Sequence, residues 1–354
     1  MSSPQRRLRV LVVDDSALHR QILTRILARD PDLELAGYAA NGAEAVRAVE
    51  QLRPDVVTLD ERMPVMDGLE AARRIMRDWP TPIVLVTSAA GLGARDIAEA
   101  ALAAGVLAVQ DKRALVSSDD SAAGELVRIV KGMAAVRLVR RRRTAAQPAD
   151  ASGPSISAAP KRAVAELIAV GASTGGPHAI RTIISRFPAD FPLPILVVQH
   201  TTVGYSAALA DWLRAETALP IQIAQDGQAF DAPGVFLAPT ERHLVVRGNR
   251  LALLDTPPSS LHRPSATVLF RSVASSFGSR AIGVLLTGMG DDGAAGLAEM
   301  KQAGALTIAQ DEASSVVFGM PAEAIRLGAV DHVLPPEQIA RLLLDLAAVG
   351  RHAA

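Results

Sequence analysis

The sequence predicts an α/β protein of two domains, each built on a largely parallel sheet. In both halves of the chain, short apolar runs alternate with stretches of helical periodicity, which is typical of parallel strands joined by helices. A polar segment that contains prolines and lacks this periodicity separates the halves. The length of 354 residues suits two domains of about 150 residues better than one. We therefore expect domains at 6–130 and 164–350, joined by a linker at 131–163.

The composition limits the classes of function. Apolar residues make up 49% of the chain and charged residues 21%, and the formal net charge is zero, so neither nucleic acid nor anionic lipid is expected to bind the protein as a whole. The absence of cysteine excludes disulfides, thiolate metal sites and cysteine nucleophiles. The first apolar run is too short for a secretion signal, and no run approaches the roughly 20 residues of a membrane span. We expect a cytoplasmic protein that is not inserted into a membrane.

Five strands are predicted in the first domain, in the runs LRVLVV, LELAGYA, DVVTL, IVLVT and VLAV. Between the first two, Leu18, Ile22 and Ile26 follow one another at the four-residue spacing of an amphipathic helix. Repeated strand and helix units imply a parallel sheet with helices on both faces. Ligands of such sheets bind at the carboxyl ends of the strands.

The predicted linker contains three prolines and an arginine cluster, Arg140 to Arg143. These arginines could bind nucleic acid or an acidic partner, but they are also typical of the solvated end of a helix, which we favour. No helix-turn-helix pattern accompanies them.

The second domain resumes the alternation of strands and helices. Strands are predicted in ELIAVGAS, PILVVQH, IQIA, GVFLAP, AIGVLLTG and ALTIAQ, and helices from Pro177, near 206–215, after Pro264 and from Gly293. The run HLVVRGNRLALL predicts a hairpin, with its turn at Gly248 and Asn249.

Acidic, hydroxyl and basic side chains follow the predicted strands of the first domain. Asp14 and Asp15 end the first strand and Asp60 ends the third, so three carboxylates should meet at one edge, where a hard cation such as Mg²⁺ would relieve their repulsion. Thr87 and Lys112 follow the fourth and fifth strands and suit an anion carried by Asp60. The aspartates taken singly could be a helix cap and a loop acid. All five together favour a phosphoacceptor site.

With VLVVDDS, LDERMPVMDGLE, LVTSAA and the position of Lys112, residues 8–125 resemble response-regulator receiver domains. The resemblance implies a flavodoxin-like (βα)5 fold in which Asp60 accepts a phosphoryl group from a histidine kinase. It also implies that Asp14, Asp15 and Asp60 surround Mg²⁺, and that Thr87 and Lys112 contact the phosphoryl group.

Two positions depart from the receiver pattern. Arg113 stands where proline usually follows the lysine, and Val109 stands where an aromatic residue is frequent. The phosphorylation chemistry is therefore expected to be complete, whereas the usual aromatic switch is not.

Ser173 lies in G-A-S-T-G, between an apolar run that stops at Gly171 and a helix expected from about Pro177. The G-x-S-x-G spacing lets a serine stand exposed on a tight turn from strand to helix. Taken alone, the same glycine-rich turn could equally cradle a phosphate or a nucleotide, although it lacks the lysine of a P-loop.

A base and an orienting acid are available at neighbouring strand ends. His200 ends PILVVQH, and Asp291 and Asp292 follow AIGVLLTG, so a Ser, His, Asp triad is geometrically plausible. The glycines around Met289 would let backbone N–H groups approach an oxyanion. The histidine could be structural and the aspartate a helix cap, but the conjunction favours catalysis. No H-E-x-x-H or paired-histidine motif predicts a catalytic metal, so we expect no cofactor for this reaction.

The chain order Ser, His, Asp differs from that of the α/β-hydrolase superfamily, so we expect a different doubly wound hydrolase fold. With GASTGGP, VQH, HRPS at 262–265, LTGMGDDGA and TIAQDEASSVVFGMP, residues 167–347 resemble the catalytic domain of chemotaxis protein-glutamate methylesterases. The resemblance implies hydrolysis of γ-glutamyl methyl esters on methylated chemoreceptors, with deamidation of glutamine in some members. By position, it makes Ser173 the nucleophile, His200 the base, Asp292 the acid and Met289 a backbone donor.

The domain order suggests that the receiver packs over the catalytic cleft and that phosphorylation of Asp60 favours an open arrangement. The competing hypothesis is a phosphorylation-dependent regulatory binding protein of a two-component pathway, with an inactive hydrolase domain or one that takes another substrate.

Overall fold

A computed structural model describes residues 6–87, 100–101, 104, 106, 108–112, 115, 120–134, 165–201, 205–255 and 262–351. These residues form a five-stranded sheet, a seven-stranded sheet and a two-stranded hairpin. None of the helices in the described ranges has both the length and the apolar character needed to cross a bilayer.

The first sheet is parallel, with strand order β2-β1-β3-β4-β5. Buried side chains cover both of its faces. The predicted parallel α/β fold of this half is therefore confirmed, although most of the segment between β4 and β5 lies outside the described residues. Its elements are β1 (Leu8–Val13), α1 (Ala17–Leu27), β2 (Leu33–Ala39), α2 (Gly42–Leu52), β3 (Val56–Asp60), α3 (Gly68–Asp78), β4 (Ile83–Thr87), β5 (Ala108–Asp111) and α4 (Asp120–Ala134).

Three helices of this half begin at side-chain caps. Ser16, Asn41 and Asp67 precede α1, α2 and α3, and each accepts a hydrogen bond from the backbone N–H three residues later. These caps fix where the chain leaves each strand end, and so they hold the loops that carry the acidic side chains.

The second sheet has strand order β14-β13-β12-β6-β7-β9-β8, and every pair is parallel. The predicted hairpin is present, with Gly248 at φ 60° in its turn. The short β14 and α9 were not predicted. The elements are β6 (Leu167–Ala172), α5 (Gly176–Ile184), β7 (Pro194–Gln199), α6 (Tyr205–Glu216), β8 (Ile221–Ile223), β9 (Gly234–Leu237), β10 (His243–Arg247), β11 (Arg250–Leu254), α7 (Ala266–Phe277), β12 (Ala281–Leu285), α8 (Ala294–Gln302), β13 (Leu306–Gln310), α9 (Met320–Arg326), β14 (His332–Leu334) and α10 (Pro336–Arg351).

The centre of the second sheet is a topological switch point. From β6 the chain moves to β7 on one side, while β12 pairs with β6 on the other side and continues to β13. Doubly wound sheets bind ligands in the crevice that opens at such a point, beyond the carboxyl ends of the strands. Ser173, His200 and Asp292 come after β6, β7 and β12, so all three belong to this crevice.

The two halves of the protein pack against each other. Val316 and Val317, between β13 and α9, pack on the apolar cluster that α4 shares with the first sheet. Val109 of β5 packs on the core of the second sheet. Helix α4 continues to Ala134, past residue 130, while residues 135–164 lie outside the described part, so the boundaries of the linker remain a prediction.

Candidate active site

Ser173 lies on the tight turn between β6 and α5. Its N–H donates to Thr287 O at 3.0 Å, and its carbonyl accepts from Gly176 N at 2.8 Å. Gly175 adopts φ +78°, and a Cβ there would come within 2.4 Å of Cβ of Val316. Only glycine fits this turn without displacing its neighbours. The turn places Ser173 at the N-terminal end of α5, where the helix dipole favours negative charge.

His200 follows β7 directly, and its N–H donates to Ala172 O at 2.9 Å. The preceding residue ties the two candidate catalytic residues together. The side-chain amide of Gln199 donates to the carbonyl oxygens of Ser173 and His200, at 2.8 Å each. The sequence motif VQH contained this glutamine, but no spacing rule assigned it a role.

Asp292 holds His200 and is itself held by the start of α7. Its carboxylate accepts from Nε2 of His200 at 2.7 Å, from Oγ of Ser265 and the N–H of Ala266 at 2.7 Å, and from the N–H of Thr267 at 3.1 Å. Ser265 also caps α7, so the acid lies at a helix N-terminus. Asp291, the other candidate acid, is exposed.

The charge of Asp292 determines the tautomer of His200. Burial opposes ionisation of this carboxyl, but the hydrogen bonds from His200, Ser265 and Thr267 outweigh it and hold the pKa of Asp292 well below its usual value. An ionised carboxylate can only accept, so Nε2 of His200 carries the proton and Nδ1 is left as the basic nitrogen. Among the described residues Nδ1 has no hydrogen-bond partner, so the bond to Ser173 is not formed in this arrangement. Such bonds often form only when substrate is bound.

A second imidazole covers the face of His200. The rings of His200 and His262 stack with centroids 4.4 Å apart and planes 15° from parallel. His262 opens the HRPS segment, which marked the family resemblance without indicating a role.

Both halves of the protein line one cavity of about 370 Å³ around Ser173. The catalytic half contributes Ser173, His200, His262 and Met289. The receiver half contributes β5 and α4, including Val109, Gln110, Arg128 and Ile129. A substrate bound at Ser173 would therefore lie beside β5 and α4 of the first half.

The predicted phosphoacceptor side chains also lie together. Asp14, Asp15 and Asp60 each present a carboxylate oxygen, and these oxygens lie within 4.8 Å of one another. Nζ of Lys112 lies 2.7 Å from Asp14 and 2.9 Å from Asp60. Three convergent carboxylates fit a hard divalent cation, since such ions prefer oxygen ligands.

Burial and mutual contacts shift the pKa values of Asp60 and Lys112 in this cluster. Burial, together with the neighbouring Asp14, raises the pKa of Asp60 despite the ammonium group of Lys112. Burial disfavours the charged form of Lys112, but its bonds to Asp14 and Asp60 outweigh this effect and raise its pKa. Ionisation of Asp60 is therefore costly in the folded protein, and an added cation would relieve that cost.

Thr87 does not bond to Asp60 in this arrangement. Its hydroxyl donates to the carboxylate of Glu61, a buried acid that the sequence did not single out. Arg113 and the Arg140–Arg143 cluster lie outside the described residues. Val109, in contrast, lies on β5, the strand that leads to Lys112, and it lines the catalytic cavity.

Comparison with known proteins assigns a family to each half of the chain. Residues 10–115 match the family model of the response regulator receiver domain, and residues 168–343 match that of CheB methylesterase. A protein-glutamate methylesterase/protein-glutamine glutaminase of Syntrophus aciditrophicus is 43% identical over 96% of this chain and 98% of its own length. A relative with the same description in Geobacter metallireducens is 44% identical over 96% and 99%.

Among solved structures, the CheB methylesterase catalytic domain of Thermotoga maritima is 35% identical, with a TM-score of 0.50, and the match covers 51% of this chain and 98% of that one. Since the relatives match along nearly their whole length and the second half also matches a solved catalytic domain, this protein belongs to the CheB methylesterase family and carries an N-terminal response regulator receiver domain.

Proposed function

We propose that this protein is a phosphorylation-regulated protein-glutamate methylesterase that hydrolyses γ-glutamyl methyl esters on chemoreceptors to glutamate and methanol. One observation carries the proposal. The bonded pair of His200 and Asp292 shares a cavity with Ser173, and the receiver forms the opposite wall of that cavity.

The triad residues have distinct roles in the proposed reaction. Nδ1 of His200 takes the hydroxyl proton of Ser173 as its oxygen attacks the ester carbonyl. The ionised Asp292 stabilises the imidazolium that forms, and its four hydrogen bonds keep it ionised. The imidazolium then returns the proton to the departing methanol oxygen, which leaves an acyl-enzyme on Ser173.

The acyl-enzyme is hydrolysed by the same groups. His200 takes a proton from water as the water oxygen attacks the acyl carbon. The imidazolium then returns this proton to Oγ of Ser173, which leaves as a hydroxyl group while glutamate is released. The N-terminus of α5 favours the negative charge that develops beside Ser173. The position of Met289 in the cavity supports its backbone N–H as an oxyanion donor. A glutamine side chain would react in the same way, with ammonia as the leaving group.

We assign phosphorylation to Asp60, with a histidine kinase as the donor. Asp14, Asp15 and Asp60 would hold Mg²⁺, which supplies positive charge against the incoming phosphoryl oxygens. Lys112 already contacts two of these carboxylates and would pair with the phosphoryl group. Thr87 would donate to the phosphoryl group after leaving Glu61.

The receiver controls access to Ser173 in this proposal. Strand β5 carries Val109 in the wall of the catalytic cavity and leads to Lys112 at the phosphoacceptor site. A movement of Lys112 towards a new phosphoryl group would therefore be transmitted to the wall over Ser173. Phosphorylation would favour separation of the receiver from the cleft, a two-state change biased by local charge. The protein would encounter the methylated receptors and the kinase in the cytoplasm.

Labelling with a fluorophosphonate probe tests the proposal against its alternative. We expect the full chain, treated with beryllofluoride and Mg²⁺, to be labelled, and Ser173→Ala not to be labelled. A phosphorylation-dependent binding protein with an inactive hydrolase domain would give no labelling in either case. The same samples, incubated with methylated receptor membranes, should release methanol only where labelling occurs.

A further inference from the structure

His200, the proposed base, has a hydrogen bond to Asp292 at one edge of its ring, and the ring of His262 stacks on one face. Nε2 of His200 bonds to Asp292 at 2.7 Å, but a single hydrogen bond leaves the ring able to swing about that contact. The ring of His262 lies 4.4 Å away and within 15° of parallel, so it restricts the plane in which His200 can lie. That plane sets the direction of Nδ1 towards Ser173.

The segment that carries His262 is anchored to the same acid. Ser265, three residues after His262, donates its hydroxyl to the Asp292 carboxylate at 2.7 Å. The backbone N–H of Ala266 donates to the same carboxylate, also at 2.7 Å. Asp292 therefore bonds directly to His200 and also anchors the chain segment that carries His262.

The charge state of His262 suits this contact. Burial lowers the pKa of His262, and the neighbouring His200 and Arg128 lower it further, so the ring is neutral at neutral pH. A neutral aromatic face attracts a cation, whereas a second imidazolium would repel it. The stack can therefore remain in place when His200 becomes charged during the reaction.

We infer that His262 is a positioning residue for the esterase reaction, which holds the imidazole plane of His200 by stacking. This inference rests on the proposed function. It assigns to the first residue of the HRPS segment a role in orienting the base, without proton transfer.

Three substitutions of His262 distinguish the effect of its planar face from the effect of its ring nitrogens. His262→Ala removes the face, His262→Leu fills similar volume without a planar face, and His262→Phe restores a planar face that cannot exchange protons. His178→Ala is the matched control, because it removes a histidine ring packed on Trp212 at 5.4 Å, outside the catalytic cavity.

The assay is methanol release from methylated receptor membranes by the full chain with beryllofluoride, and thermal unfolding verifies folding. We expect His262→Ala and His262→Leu to lower kcat by about 10- to 100-fold, on the scale of a misaligned catalytic group, with little change in KM. His262→Phe should recover kcat to within about fivefold of the parent, since stacking supplies the alignment. His178→Ala should match the parent.

Two results would overturn the inference while leaving the esterase in place. The first is an unchanged kcat in both His262→Ala and His262→Leu. The second is a loss in His262→Phe as large as in His262→Leu, which would mean that a ring nitrogen is required. An inactive and unlabelled parent would contradict the proposed function itself, and the inference with it.

Discussion

At the scale of single residues, Asp292 is the one whose contacts explain most of the site. Asparagine is nearly the same size but presents an NH₂ group to donors that need an acceptor. We expect Asp292→Asn to lower kcat by about 10³- to 10⁴-fold, because His200 would lose the partner that sets its tautomer. Methanol release measures this loss. The neighbouring Asp291→Asn is the control, since Asp291 is exposed and should keep parental activity.

The direction of the Asp60 pKa shift predicts the sign of a stability effect. Its pKa is raised by burial and by Asp14, so between the unfolded and folded pKa values the folded state binds more protons, and stability falls as pH rises through that range. Asp60→Asn removes this cost and should raise the unfolding temperature at neutral pH by about a few degrees without Mg²⁺. The difference in unfolding temperature between Asp60→Asn and the parent should decrease as the pH is lowered towards about 4. Destabilisation by Asp60→Asn at neutral pH would contradict the account.

The sequence identified the residues at strand ends better than the residues that support them. The structure brings Ser173, His200 and Asp292 together as predicted, because parallel strands bring their carboxyl ends to one edge. Glu61, Gln199 and the start of α7 act through contacts that follow no sequence spacing. The bond between Ser265 and Asp292 joins residues 27 positions apart, so only the folded chain reveals it.

At the scale of elements, helix α4 (Asp120–Ala134) lines the cavity around Ser173 and packs against the catalytic half. A Cβ at Gly132 would already be in van der Waals contact with Cε of Met289 at 3.4 Å and Cγ2 of Val317 at 3.5 Å, so a longer side chain would extend into the catalytic half. Gly132→Leu should therefore push the receiver away and raise activity without phosphodonor. Overpacking costs about 1 to 3 kcal/mol, which corresponds to about 5- to 150-fold in the domain equilibrium.

Gly124 supplies the control on the same helix. Among the described residues, a Cβ there meets nothing within 4 Å, so Gly124→Leu gains the same helix propensity without a contact to the described part of the catalytic half. Methanol release without beryllofluoride compares the two variants with the parent. Equal basal rates in Gly132→Leu and Gly124→Leu would mean that α4 does not hold the cleft shut.

Elements with a clear apolar run or turn signal were predictable, even the three-residue β8 (Ile221–Ile223) in IQIA, whereas other short elements were not. The strands of the first sheet and the hairpin at Gly248 follow from apolar runs and turn residues. Strand β14 (His332–Leu334) has three residues and α9 (Met320–Arg326) has seven, too few for periodicity to distinguish them from loop.

At the scale of the whole molecule, the sequence predicted two domains and suggested that one covers the other. It could not specify which surfaces meet, because apolar residues at a domain contact, such as Val316 and Val317, follow the same patterns as any core residue. The structure places β5 and α4 of the receiver in the wall around Ser173. This placement supplies a route from the phosphoacceptor site through Val109, where the usual aromatic residue is absent.

The most direct test is the rate of methanol release from methylated receptor membranes by the full chain, with and without beryllofluoride and Mg²⁺. The account predicts slow release by the untreated protein and release at least about tenfold faster after treatment, within the usual range of coupling between two sites. Equal rates under both conditions would contradict control by the receiver. No release under either condition would contradict esterase action at Ser173.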